Sequence, residues 1–98
     1  MKYQLVLQFE TTSIQDFDRL VAFEDHLTEE LDDEVDGHDF GSGESDIFLF
    51  TDDVGATFKR VQAVAKSKQL LDPMKAAYRD GEGFVILWPP GLKEFKVV

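Results

Sequence analysis

Along this chain the apolar repeat changes from two residues to between three and four, and then makes the same change again. Tyr3, Leu5, Leu7 and Phe9 alternate with Lys2, Gln4 and Gln8. That is the pattern of a strand with one buried face, because successive strand side chains point to opposite sides. Thr11, Thr12 and Ser13 follow as N-cap candidates, with Asp16 in the first turn, where the helix dipole favours an acid. From Ile14, the residues Phe17, Leu20, Val21, Leu27 and Leu31 recur at helical spacing, with Phe23 beside the stripe. The spacing predicts an amphipathic helix to about Glu30. Glu34 to Phe40 has only Val35 and Phe40 as large apolar residues, which suits an edge strand half in water. Gly41-Ser42-Gly43-Glu44 reads as a hairpin loop, and Asp46 to Thr51, with Ile47, Phe48, Leu49 and Phe50 in succession, as a central strand apolar on both faces. Thr51, Asp52 and Asp53 then cap a second helix to about Lys68, with Val54, Phe58, Val61 and Ala65 inward.

The remainder reads as a hairpin. Ala76 to Arg79 and Phe84 to Trp88 flank Asp80-Gly81-Glu82-Gly83, and Pro89-Pro90-Gly91 ends the second run. Residues 91–98 are either a tail or a short extra strand. A faint echo, Phe17-Asp18-Arg19-Leu20 and Phe58-Lys59-Arg60-Val61, places similar segments on the two helices. A strand–helix–strand unit used twice gives the expected fold. It is an α+β, ferredoxin-like βαββαβ sandwich, with two helices on one face of a four- or five-stranded antiparallel sheet. With 98 residues, 43% of them hydrophobic, residues 1–98 make a single domain with one core.

Composition removes several classes of function. The chain has no cysteine, which excludes a disulfide framework, a thiol nucleophile, thiolate zinc sites and iron–sulfur clusters. A net charge of −10 argues against a nucleic-acid partner. Gln4 and Gln8 interrupt the N-terminal apolar run, and no small-residue cleavage site follows. No stretch approaches the roughly 20 apolar residues of a membrane span. The expectation is therefore a cytoplasmic protein that engages no membrane and needs no cofactor.

Charge is segregated. Residues 1–53 hold 16 acids and 2 bases, whereas residues 54–98 hold 4 acids and 8 bases. Pairing of Glu24, Glu29 and Glu30 with Lys59, Arg60, Lys66 or Lys68 across neighbouring helices would absorb part of this, at about 0–1 kcal/mol per surface pair. It does not absorb the stretch from Glu24 to Asp39, which holds nine acids and neither lysine nor arginine. Glu29, Glu30, Asp32 and Asp33 also crowd the C-terminal end of the first helix, where the dipole disfavours acids. A basic protein surface would relieve that repulsion, with Asp32, Asp33, Glu34 and Asp36 as the contact residues. Solvated repulsion is the alternative.

Other motifs carry less. Asp32-Asp33-Glu34-Val35-Asp36-Gly37 starts like an EF-hand loop, but its twelfth position is Gly43, where a bidentate glutamate is required. No metal site follows from the spacing. His26 should face solvent. His38 sits among Asp36, Asp39, Ser42, Glu44 and Ser45, and a histidine beside a serine and carboxylates can serve as a base with its orienter. His38, Asp39, Ser42 and Glu44 are thus the candidate ligand-binding set. Gly41-Ser42-Gly43 lacks the following helix of a phosphate loop. Gly37 inside a strand marks a bulge or a close backbone approach, Asp52 and Asp53 suit capping, and Trp88 suits the end of a packed strand.

The run Glu34-Val35-Asp36-Gly37-His38-Asp39-Phe40-Gly41-Ser42-Gly43-Glu44, followed by Ile47-Phe48, resembles a set of small uncharacterised bacterial proteins with a DGHDFGSGE-type hairpin. The likeness continues through Thr51-Asp52-Asp53, Ala77-Tyr78-Arg79 and Leu87-Trp88-Pro89. It implies a bacterial source and a stand-alone domain, and it carries no activity and no catalytic residue. The acidic character is also similar to that of immunity proteins. The expected function is a non-catalytic acidic module that binds a basic protein partner. The alternative is a ligand-binding domain or small enzyme centred on the Asp36–Ser45 hairpin. A homodimer through the open sheet face competes with a C-terminal tail folded over that face, and Val85 and Leu87 are expected on the open side.

Overall fold

Two capping clusters and one alternating strand organise the chain. The computed structural model describes residues 2–11, 13–31, 34–41 and 43–97. Its elements are β1 (Tyr3–Thr11), α1 (Ile14–Leu31), β2 (Val35–Phe40), β3 (Gly43–Thr51), α2 (Val54–Ser67), β4 (Lys75–Asp80) and β5 (Gly83–Trp88). Ser13 and Asp16 start α1 reciprocally: the Asp16 amide donates to Ser13 Oγ at 3.2 Å, and the Ser13 amide donates to Asp16 Oδ2 at 3.1 Å. This satisfies helix-end donors that would otherwise lack partners. Asp53 does the same for α2, accepting from the Ala56 amide at 3.0 Å. α2 ends through Gln69, which adopts φ 59°, and the following Leu70 amide donates to Ala65 O at 2.8 Å. Arg19 reaches across from α1 and donates to the carbonyls of Lys68 and Gln69 just past that end.

All five strands pair antiparallel in the order β2-β3-β1-β4-β5. The element sequence β-α-β-β-α-β-β is one strand longer than βαββαβ, because the turn at Gly81 and Glu82 returns the chain as β5. β3 also starts earlier than expected. Gly43, Glu44 and Ser45 already pair with Thr11, Glu10 and Phe9, and Gly43 takes the positive φ of 94° that favours glycine.

Register decides which side chains share a face. Leu5, Leu7 and Phe9 of β1 pair with Leu49, Ile47 and Ser45 of β3, and Leu7 pairs with Ala76 of β4. These residues meet Leu20, Phe23, Leu27 and Leu31 of α1 and Phe58, Val61, Val64 and Ala65 of α2 in one core, so both helices cover the same face. α1 is rotated slightly from the expected stripe. Phe23 lies at its buried centre, and Val21 is 45% exposed. A line through Leu20, Phe23, Leu27 and Leu31 leaves position 21 on the flank.

The opposite face has its own smaller cluster of Val6, Ala77 and Phe95, flanked by Phe48, Phe84, Ile86 and Leu92. Residues 91–97 form neither helix nor strand and fold back over this face. Gln8 Nε2 donates to Lys96 O at 2.6 Å, and the rings of Phe84 and Phe95 lie 5.2 Å apart. The expectation for Val85 and Leu87 is corrected. Arg79 opposes Phe84 and Ala77 opposes Ile86, so Phe84 and Ile86 take the open side, while Leu87 and Trp88 pack with the helix-side core. The pairing of Ala77 with Val6 in the middle of the sheet sets that parity, and a one-residue slip exchanges the faces of a strand. Trp88 Nε1 donates to Leu71 O at 2.9 Å, which anchors the end of β5. Among the described residues, no helix is long and apolar enough to cross a membrane.

Candidate functional site

β2 is an edge strand, and α1 packs beside it. The register of β2 shifts between Val35 and Gly37, where Gly37 has φ 152°, so the expected bulge falls at Asp36. Beyond the bulge, His38 opposes Ile47 and Phe40 opposes Ser45, which turns both rings to the helix side. His38 stacks on Phe40 with centroids 3.9 Å apart. Its Nδ1 lies 2.8 and 2.9 Å from the two carboxylate oxygens of Glu24. The Glu24 side chain is 14% exposed and that of His38 is 44% exposed, so the acid is sheltered and the imidazole is open to solvent on one edge.

The candidate ligand set His38, Asp39, Ser42 and Glu44 is not brought together. Asp39 opposes Asp46, on the sheet side away from the helices, and Glu44 lies two residues from Asp46 on that same side. Strand alternation separates neighbours 38 and 39, and Ser42 lies outside the described residues. Ser45 is not available as a nucleophile beside His38, because its hydroxyl is buried 3.0 Å from that of Thr11.

The expected partner-binding set is also divided. Asp36 is exposed on the bulge. Glu34 is instead held inward, accepting a hydrogen bond from Thr57 Oγ1 at 2.6 Å, and Thr57 is itself 2.7 Å from the Thr51 hydroxyl. Asp32 and Asp33 lie outside the described residues. Asp25, Glu29 and Glu30 of α1 and Asp39 of β2 are exposed as well, Asp39 on the sheet side away from the helices and Glu30 where α1 meets Arg60 of α2. Only part of the expected interhelical pairing forms among the described residues: Arg60 meets Glu30 through both its carbonyl and its carboxylate, the latter at 3.5 Å. Glu24 turns to His38, and His26 lies 3.8 Å from Glu30.

A second polar row crosses the sheet on its other face. Asp39, Asp46, Gln8 and Lys75 stand at successive strands in one register. Asp46 is 2% exposed, and Gln8 Nε2 donates to its Oδ1 at 3.3 Å while also holding Lys96 O. Burial pushes the Asp46 carboxyl up to about 6 against the opposing Gln8 hydrogen bond, and the Glu44 and Asp39 charges push the same way as burial. Beside this row, Gln8, Glu10, Glu44, Pro73 and Lys75 help to line an open cleft of about 230 Å³. That is below the roughly 300–1,000 Å³ of most small-molecule pockets. Among the described residues, no group of three or more histidine or carboxylate side chains is placed to hold a metal ion.

Two residues in these networks escape sequence reasoning. Glu24 stands four residues after Leu20 and three before Leu27, so a carboxylate on the flank of an apolar stripe was its signal. Asp46 stands inside a strand apolar on both faces, so one of those faces had to receive it. Comparison with family models, curated proteins and solved structures finds no match to this chain.

Proposed function

We propose that this chain is a non-catalytic, acidic interaction module that docks a basic protein partner, in the manner of an immunity protein, at the end formed by α1 and β2. One observation carries the reading. Asp25, Glu29 and Glu30 of α1 and Asp36 of β2 are exposed on two elements that pack together, with Arg60 and His38 as the neighbouring bases. Like charges so placed repel one another, and a cationic surface relieves them while raising the rate of encounter. The bulge at Asp36 bends this edge, and charged residues on an edge discourage indiscriminate strand pairing. The strand order β2-β3-β1-β4 beneath two helices belongs to the ferredoxin-like arrangement, here extended by β5. A bacterial source, as the hairpin resemblance implies, and a cytoplasmic setting fit this reading.

Capture of a partner from the native cell, followed by stopped-flow association, tests it. Exchanging Asp32, Asp33 and Asp36 for asparagine should slow association by roughly tenfold at low salt and flatten its salt dependence, with the fold retained. An unchanged rate for the triple variant refutes the reading. The His38–Glu24 pair favours one second reading, in which Glu24 orients the imidazole as a base for a small ligand. His38→Ala would then abolish ligand capture, whereas on the first reading it leaves partner association within about twofold.

A further inference from the structure

The seam between α1 and β2 carries a small apolar patch set among acids. Phe17 of α1 meets Phe40 of β2 with ring centroids 6.4 Å apart, and both side chains are only half-buried. His38 stacks on Phe40 and turns its Nδ1 to Glu24, so the contacts run along the seam from Phe17 to Glu24. Val21 stands four residues after Phe17 and three before Glu24, which puts it on the same helix face, a turn from each. It is 45% exposed, more than Val85 or Val97, and the core does not use it. Asp18 and Asp25 lie three residues before and four after Val21, and both are exposed. Among the described residues, neither forms an ion pair.

We propose that Phe17, Val21 and Phe40 form the anchor of the docking surface, and that its occupant is an arginine side chain of the basic partner. The inference rests on the reading of this chain as an acidic interaction module and adds to it the place and chemistry of contact. Charge selects a cation. Within one helical turn of Val21 in either direction stands a carboxylate, Asp18, Glu24 or Asp25, and the neighbouring base His38 is already directed at Glu24. The apolar surface selects arginine over lysine. A lysine ammonium is compact and strongly hydrated, whereas a guanidinium is more weakly hydrated, lies flat on aromatic rings and forks to carboxylates. Its aliphatic stem covers Val21 while its head stays at the acids beside it. An aromatic and aliphatic centre with a charged surround is also where a few residues carry most of the energy of an interface.

NMR titration with two short peptides tests this: acetyl-Ala-Arg-Ala-Arg-Ala-amide, and a twin with lysine in place of both arginines. The arginine peptide should shift the Val21 methyl signals and the Phe17 and Phe40 ring signals with a Kd of about 1 mM, and the lysine twin should bind at least about threefold more weakly. Val21→Ser, close to valine in helix propensity, should weaken the arginine peptide by roughly threefold to tenfold and the lysine peptide by less. Val21→Leu keeps the apolar surface and should keep the binding, which separates loss of the anchor from loss of the fold. Equal binding of the two peptides, arginine binding unaffected by Val21→Ser, shifts confined to elements other than α1 and β2, or no shift with either peptide would each overturn the anchor. Failure of the anchor alone has its own signature: both peptides then bind equally and weaken together as salt rises, and the acidic-module reading stands without it.

Discussion

Replacing Asp46 with asparagine should stabilise this protein, and the gain should depend on pH in one direction only. Asp46 is 2% exposed, and burial pushes its carboxyl up to about 6 in the folded chain from an ordinary value of 3.8. The folded state therefore holds that proton more tightly than the unfolded state. Below the unfolded value both states are protonated, and the group costs nothing. Between 3.8 and about 6 the unfolded chain releases its proton first, and stability falls as pH rises; above about 6 the full cost is present. A shift of this size corresponds at most to about 3 kcal/mol, and water at the neighbouring Glu44 and Asp39 reduces it, so about 1–3 kcal/mol is the expected range. Asparagine retains Oδ1 as the acceptor for Gln8 and presents an amide to the two nearby carboxylates in place of a charge. Urea denaturation of both proteins from about pH 4 to about pH 8 should show the curves diverging through the window and running parallel above it. At neutral pH the variant should melt several degrees higher, at roughly 4–8 °C per kcal/mol for a domain of this size. A stability difference that does not change with pH, or a variant less stable at neutral pH than at about pH 4 relative to the parent, would refute the role given to burial.

Three further outcomes follow from the fold and the acidic end. Phe95→Ala should cost about 2–4 kcal/mol and speed hydrogen exchange at Val6 and Ala77, because it strips the cover from the second face; an unchanged denaturation midpoint would show that the segment is not docked. Asp53→Ala should cost about 1 kcal/mol, read by chemical denaturation, since the Ala56 amide loses its capping partner. The association rate of any captured basic partner should fall as salt rises, because exposed charges are screened beyond about 10 Å at 0.1 M.

The helices and strands were legible because their periodicities are carried by large side chains in unbroken runs. Tyr3 to Phe9 and Ile14 to Leu31 could be read as elements almost to the residue. Faces were harder. Arg79 and Phe84 flank the turn as the sequence suggests, but which face of that hairpin points inward is set by the pairing of Ala76 with Leu7 and Ala77 with Val6, so Phe84 and Ile86 take the open side rather than Val85 and Leu87. Long-range polar contacts were invisible for a different reason. Nothing in the spacing of His38 and Glu24 announces that an edge strand will bring them within 2.8 Å; that follows from how α1 lies beside β2. Local reasoning assigned Glu34 to a partner surface, yet it is spent on a threonine of α2. The acidic composition was plain, while the distinction between acids held inward and acids left outward needed the packing.

The strap formed by residues 91–97 has a consequence for how the chain is made. β1 is synthesised before the other four strands and sits in the middle of the sheet, and Gln8 on that strand is joined to Lys96, 88 residues later. A nascent chain that has reached Trp88 has five strands and two helices at its disposal, but it leaves Val6, Phe48, Ala77, Phe84 and Ile86 facing water. Only after Phe95 leaves the ribosome does the second face close. The second face thus closes only after all five strands have been made, and the interval before that is when this chain most needs protection from its neighbours.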